Sequence, residues 1–130
     1  MTAQDNAELI RAGYEAFGKG DIPAVVAIWA EDIAWHVPGR SPLAGDYVGA
    51  EAILGFFGQL QERSGGSFRL EIHDVLASDD HVVVLVSEIA DRGDTSLNSR
   101  GAHIWHVRDG KATEFWAAAY DQYATDGFWS

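Results

Sequence analysis

Halfway along this chain the spacing of apolar residues changes from the period of a helix to that of a strand, and this change limits the fold more than any single motif. Ala3, Ala7, Ile10, Tyr14 and Phe17 recur at helical spacing behind a capping arrangement of Thr2 and Asp5, until Gly18-Lys19-Gly20 breaks the pattern. Asp21 can cap a short second helix with Pro23 in its first turn, Val25, Val26, Ile28 and Trp29 on its buried side and Glu31-Asp32 at its close. Ile33 to Val37 predicts a strand ended by Pro38-Gly39, and the segment from Arg40 to Val48, with Pro42 and Gly45, reads as a surface loop. Ile53, Leu54, Phe57 and Leu60 predict a third helix from Ala50 to about Arg63, released by Ser64-Gly65-Gly66-Ser67.

From Phe68 the period is two. Phe68, Leu70 and Ile72 alternate with Arg69, Glu71 and His73, and strands from His81 to Ala90, Thr95 to Val107 and Lys111 to Ala119 follow. Ser78-Asp79-Asp80, Arg92-Gly93-Asp94 and Arg108-Asp109-Gly110 suit the hairpin turns between them, and the tail from Tyr120 to Ser130 can form a short helix. Three helices separated in sequence from a twisted meander bury their apolar stripes only against its concave face. The expected architecture is therefore a single α+β domain over residues 1–130, a cone-shaped α+β barrel of three helices on a strongly curved, mostly antiparallel sheet around an apolar pocket.

Charge and composition narrow the partners. Twenty acidic against nine basic side chains give a formal charge of -11, which repels phosphate backbones and anionic headgroups, so neither nucleic acid nor a membrane surface is expected. The chain has no cysteine, which removes thiolate chemistry and fits a reducing compartment. Met1-Thr2-Ala3-Gln4-Asp5 lacks the pattern of an export signal, and the cytoplasm is the expected location.

Several segments resemble a known family. The element order, Gly20-Asp21 between the first helices, Trp29-Ala30-Glu31-Asp32 leading into Ala34-Trp35-His36-Val37-Pro38-Gly39, and Gly49-Ala50-Glu51-Ala52-Ile53 opening helix three resemble the nuclear transport factor two-like (cystatin-like) superfamily. Within it the chain is similar to the branch of ketosteroid isomerase and the SnoaL-like polyketide cyclases. The resemblance implies a small-molecule pocket and a homodimer formed through the sheet face. It also implies that Val37 replaces the isomerases' catalytic aspartate, that His103 takes the place of their oxyanion-holding acid, and that Tyr14 lies near their tyrosine. For the cyclases' aspartate just after the last strand, Asp121 is the matching position.

The residues themselves support parts of this reading. Counting by twos along the last strand puts Phe115, Ala117, Ala119 and Asp121 on one face, where the alanines leave room for a ligand and a desolvated carboxylate gains basicity. The same count aligns Gly101, His103 and Trp105, placing an imidazole where it can donate to a carbonyl. Tyr14, in the buried stripe of helix one, can orient a ligand oxygen. The candidate catalytic residues are thus Asp121, His103 and Tyr14.

Trp35, Val37, Phe56, Phe57, Trp105 and Phe115, with Ala117 and Ala119, are the expected ligand-binding walls. His36 joins them only if a bulge near Pro38 re-aims it, and otherwise serves a dimer contact. Trp116, Phe128 and Trp129 are read as cover for an outer sheet face or a partner. No metal site is expected: His103 and His106 point to opposite faces and no His-Glu-x-x-His occurs. No phosphate-binding loop occurs either, and no cofactor is expected. The abundance of aromatic rings favours a flat apolar ligand. The function read from the sequence is acid-base chemistry on an apolar cyclic carbonyl compound, with a non-catalytic ligand-binding or dimeric module of the same fold as the alternative.

Overall fold

The computed structural model describes residues 2–130; Met1, the first residue of the amino-terminal segment read above, lies outside them. The first helix, α1 (Ala3–Gly18), opens with a complete capping box in which the Thr2 hydroxyl accepts from the Asp5 amide and the Asp5 carboxylate accepts from the Thr2 amide. Its buried face carries Asn6, whose Nδ2 donates to the carbonyls of Ser78 and Asp79 and so ties the helix to a distant hairpin turn. Gly13 lets α1 approach the next helix, because a Cβ there would stand 2.6 Å from Ile28 Cδ1.

Two expectations about the first half are corrected. The second helix, α2 (Ile22–Ala27), ends earlier than the sequence suggests, and Trp29, Glu31 and Asp32 belong to strand β1 (Trp29–Val37). Val25, Val26, Ile28 and Trp29 are β-branched or aromatic, and such side chains give up little by leaving a helix for a sheet. The segment read as a loop contains a four-residue strand, β2 (Gly45–Val48), antiparallel to β1. Gly45 has φ +141, so the chain turns into β2 at the glycine that the sequence reading took for a loop signal.

Helix α3 (Ala50–Arg63) then leads to strands β3 (Arg69–Ala77), β4 (His81–Arg92), β5 (Thr95–Arg108) and β6 (Lys111–Ala119), and a fourth helix, α4 (Gln122–Trp129), forms in the tail. All six strands make one curved sheet in the order β2-β1-β6-β5-β4-β3, antiparallel except where β1 meets β6. The fold is α+β, with four helices where three were expected. On the helix-covered face Val82, Val84 and Val86 of β4 and Trp105 and Val107 of β5 are buried, and burying each such side chain contributes roughly 1.5–3 kcal/mol. No helix among the described residues is long and apolar enough to cross a membrane.

Candidate active site

Between the helices and the concave face lies a cavity of about 110 Å³. Its walls are chiefly aromatic, since inward positions of β1, β5 and β6 meet the buried faces of α1 and α3. Trp35 and Phe115, on the paired strands β1 and β6, stack with centroids 3.8 Å apart, and Trp35 meets Trp105 and Phe57 edge-on at 5.3 and 5.6 Å. Phe56 of α3 and Val37 of β1 also line the cavity. Ala117 and Ala119 form a shallow part of the wall with Gly101 on the neighbouring strand.

One wall carries a continuous chain of polar groups. The Trp105 indole N–H donates to Tyr14 Oη at 3.1 Å, Tyr14 Oη lies 2.6 Å from His103 Nδ1, and His103 Nε2 lies 2.8 Å from Glu88 Oε2. Proton positions follow from what each group can do. An indole only donates, so the Tyr14 oxygen accepts from it and keeps its own hydrogen for His103 Nδ1. His103 then carries its proton on Nε2 and donates it to the carboxylate. Burial pushes the Tyr14 phenol well above its usual range, the Trp105 bond opposes the rise and the nearby Glu88 charge adds to it, so the hydroxyl stays protonated. His103 is 5% exposed, and the Glu88 side chain is a quarter exposed.

Glu88 is the residue that the sequence reading missed. It continues the row Val82, Val84, Val86 and precedes Ala90, all buried, so a period-two count along β4 would have put a carboxylate on the apolar face. Its Oε1 has no hydrogen-bond partner among the described residues. Ser99, Gln122 and Thr125 were also missed: all three line the cavity, and Ser99 Oγ and Thr125 Oγ1 lie 3.0 Å apart.

Tyr14 and His103 are brought together in the cavity, whereas Asp121 is not. The Asp121 carboxylate is exposed, caps α4 by accepting from the Ala124 amide at 3.0 Å, and is absent from the cavity wall. The alternation that aimed it inward stops with β6 at Ala119, two residues earlier. His36 likewise stays on the outer face. There its Nδ1 donates to Asp46 at 2.7 Å and its Nε2 to Glu114 at 2.6 Å, and the ring stacks on Trp116. With both nitrogens donating, the ring is an imidazolium, and Asp46 first and Glu114 second raise its pKa. Phe128 and Trp129 turn inward, not outward as the sequence suggested: both are buried, and Trp129 lines the cavity. No group of three or more His, Asp or Glu side chains is placed to hold a metal ion among the described residues.

Helices closed over the concave face of a curved six-stranded sheet, around an apolar hollow, define a nuclear transport factor two-like protein. Within that superfamily the chain belongs to the SnoaL-like domain family, whose profile matches residues 10–115. The uncharacterized protein Rv0034 of Mycobacterium tuberculosis is 29% identical over 131 aligned positions, covering the whole of both chains. Among solved structures, Bal32a from a soil-derived mobile gene cassette is 37% identical with a TM-score of 0.94, covering 98% of each chain. TerC, co-crystallized with polyporic acid, is 27% identical with a TM-score of 0.84, covering 97% of this chain and 99% of its own.

Proposed function

We propose that the protein is an acid-base enzyme of the isomerase or cyclase type, acting on a small apolar carbonyl compound with Glu88 as its proton acceptor. One observation carries this reading: Glu88 presents a carboxylate to an aromatic cavity with one oxygen held by His103 and the other unpartnered among the described residues. Such a group abstracts protons well, because an apolar surround withholds the water that would stabilise its charge. The co-crystal of TerC supports an organic small molecule as the ligand.

In this mechanism Glu88 Oε1 takes a proton from the carbon beside the substrate carbonyl, and the electron pair moves onto the carbonyl oxygen as an enolate. Protonating Glu88 removes the charged acceptor of His103 Nε2–H, which then turns its hydrogen bond to the new oxyanion. Tyr14, donating to Nδ1, holds His103 in the tautomer that can do this. Return of the proton to a different carbon is an isomerisation, and attack of the enolate carbon on a second carbonyl closes a ring.

The test uses 5-nitrobenzisoxazole, whose ring opens when a base removes its lone C–H proton. The protein should accelerate this opening over free acetate, Glu88→Gln should lose about 100-fold or more, and Asp121→Asn should match the wild type. Full activity in Glu88→Gln would remove Glu88 as the base.

A second reading, a non-catalytic ligand binder, is favoured by the closure of the chain on itself: Trp105, Tyr14 and His103 already satisfy one another. Absence of any acceleration, with a small molecule retained in native mass spectra, would select it. In either reading a second copy is the proposed partner, seated on the outer face where Val83, Ile104 and Trp116 lie side by side on β4, β5 and β6. Sedimentation at micromolar concentration should show a dimer, and a monomer would contradict it.

A further inference from the structure

The cavity's charge is as distinctive as its shape. Its wall contains one carboxylate, one imidazole and one phenol, and no lysine or arginine among the described residues. With His103 neutral and Glu88 ionised the site carries one negative charge, and with His103 protonated it carries none. It becomes positive only if both groups are protonated. An anion entering this space would lose its water and face Glu88 with no cation to offset the charge.

A protonated amine fares little better. It would bring three N–H donors to a space whose carboxylate has one oxygen already committed to His103 and whose other walls are mostly rings and aliphatic side chains. Size gives a second limit. An apolar cavity of roughly 150 Å³ takes up benzene, and at about 110 Å³ this one is on the scale of one aromatic ring.

We propose that the cavity selects an uncharged ligand about one ring in size and rejects its carboxylate counterpart, with Glu88 as the residue that reads the charge. This names the substrate class of the site proposed above and rests on Glu88 being the ionised group there, though not on any turnover.

Binding of three probes of similar shape tests it by calorimetry: benzamide, benzoate and benzylammonium, with the wild type and Glu88→Gln, near neutral pH. The wild type should bind benzamide about tenfold or more tighter than either ion. Glu88→Gln, which keeps a hydrogen-bond acceptor for His103, should bring benzoate to within about threefold of benzamide. Equal binding of benzamide and benzoate by the wild type would overturn the proposal, as would a gap unchanged in Glu88→Gln. Tighter binding of benzylammonium would overturn it in favour of a cationic ligand, and binding of none of the three would overturn the size limit. The wild-type comparison decides the matter alone if the variant does not fold. Charge selection without benzisoxazole opening would leave this proposal standing while removing the catalytic one.

Discussion

Glu88 and His103 meet at 2.8 Å above a row of the sheet that belongs to neither, the pair Val86 and Gly101. On β4 Glu88 is paired with Ser99, and on β5 His103 is paired with Val84, so the two side chains lean toward each other along the strands across the intervening row. Gly101 leaves that row low on the β5 side. A Cβ there would also run into the carbonyl oxygen of Ala118 on β6.

Replacing Gly101 by alanine should therefore cost about 1–3 kcal/mol of stability, because the contact is with backbone and β6 must move to relieve it. Urea unfolding of the variant measures the loss. Stability equal to the wild type would show that the strands part without cost.

Tyr14→Phe removes the acceptor of the Trp105 N–H and the donor to His103 Nδ1 in one step, leaving two buried polar atoms unpaired. The expected loss is about 1–3 kcal/mol. The variant should also change the alkaline limit. A phenol whose folded pKa is raised holds its proton more tightly in the native state, so its contribution is complete below about pH 10 and is lost as the pH climbs beyond. Unfolding midpoints measured across the alkaline range should fall less steeply for Tyr14→Phe than for the wild type.

His36 predicts a second pH dependence, at the outer face. Asp46 and Glu114 raise its pKa in the folded state, so the stability it contributes is complete below about pH 6.5 and disappears as the pH rises through the folded value. Since the side chain is 27% exposed, the effect should stay near or below about 1 kcal/mol. His36→Gln should flatten the curve of unfolding midpoint against pH in that window, and an unchanged curve would show that the imidazolium ties β1 to β2 and β6 without stabilising them.

Asp121→Ala should behave as loss of a helix cap. The structure predicts a cost of about 0.5–2 kcal/mol, concentrated in α4, with no change in the affinity of the cavity for benzamide beyond what a loosened wall allows. Hydrogen exchange of the α4 amides reports the first effect and calorimetry the second.

The period change was enough to foresee a layered α+β cone, because a twisted meander and three amphipathic helices have few other ways to bury their apolar sides. Less legible were places where a local rule stops applying. Two-step counting holds only while the strand lasts, so it identified the inward face of His103 and Trp105 yet failed at Asp121, which lies beyond the end of β6. Trp29 could be assigned to helix or strand on periodicity alone, and only pairing with Ala112 of β6 decided it. Glu88 was within reach of the same counting. The aliphatic run that precedes it drew attention to hydrophobicity, and the charge that follows on the same face went uncounted.

Trp129 is the last side chain between the hollow and the end of the described chain, and Arg92 grips that end by donating to the carbonyls of Phe128 and Ser130. Taking away this indole would wet the interior. The field of the Glu88 carboxylate, concentrated while its surroundings polarise weakly, would then be damped by mobile dipoles. A residue that touches none of the four relay groups would in this way set how strongly they act.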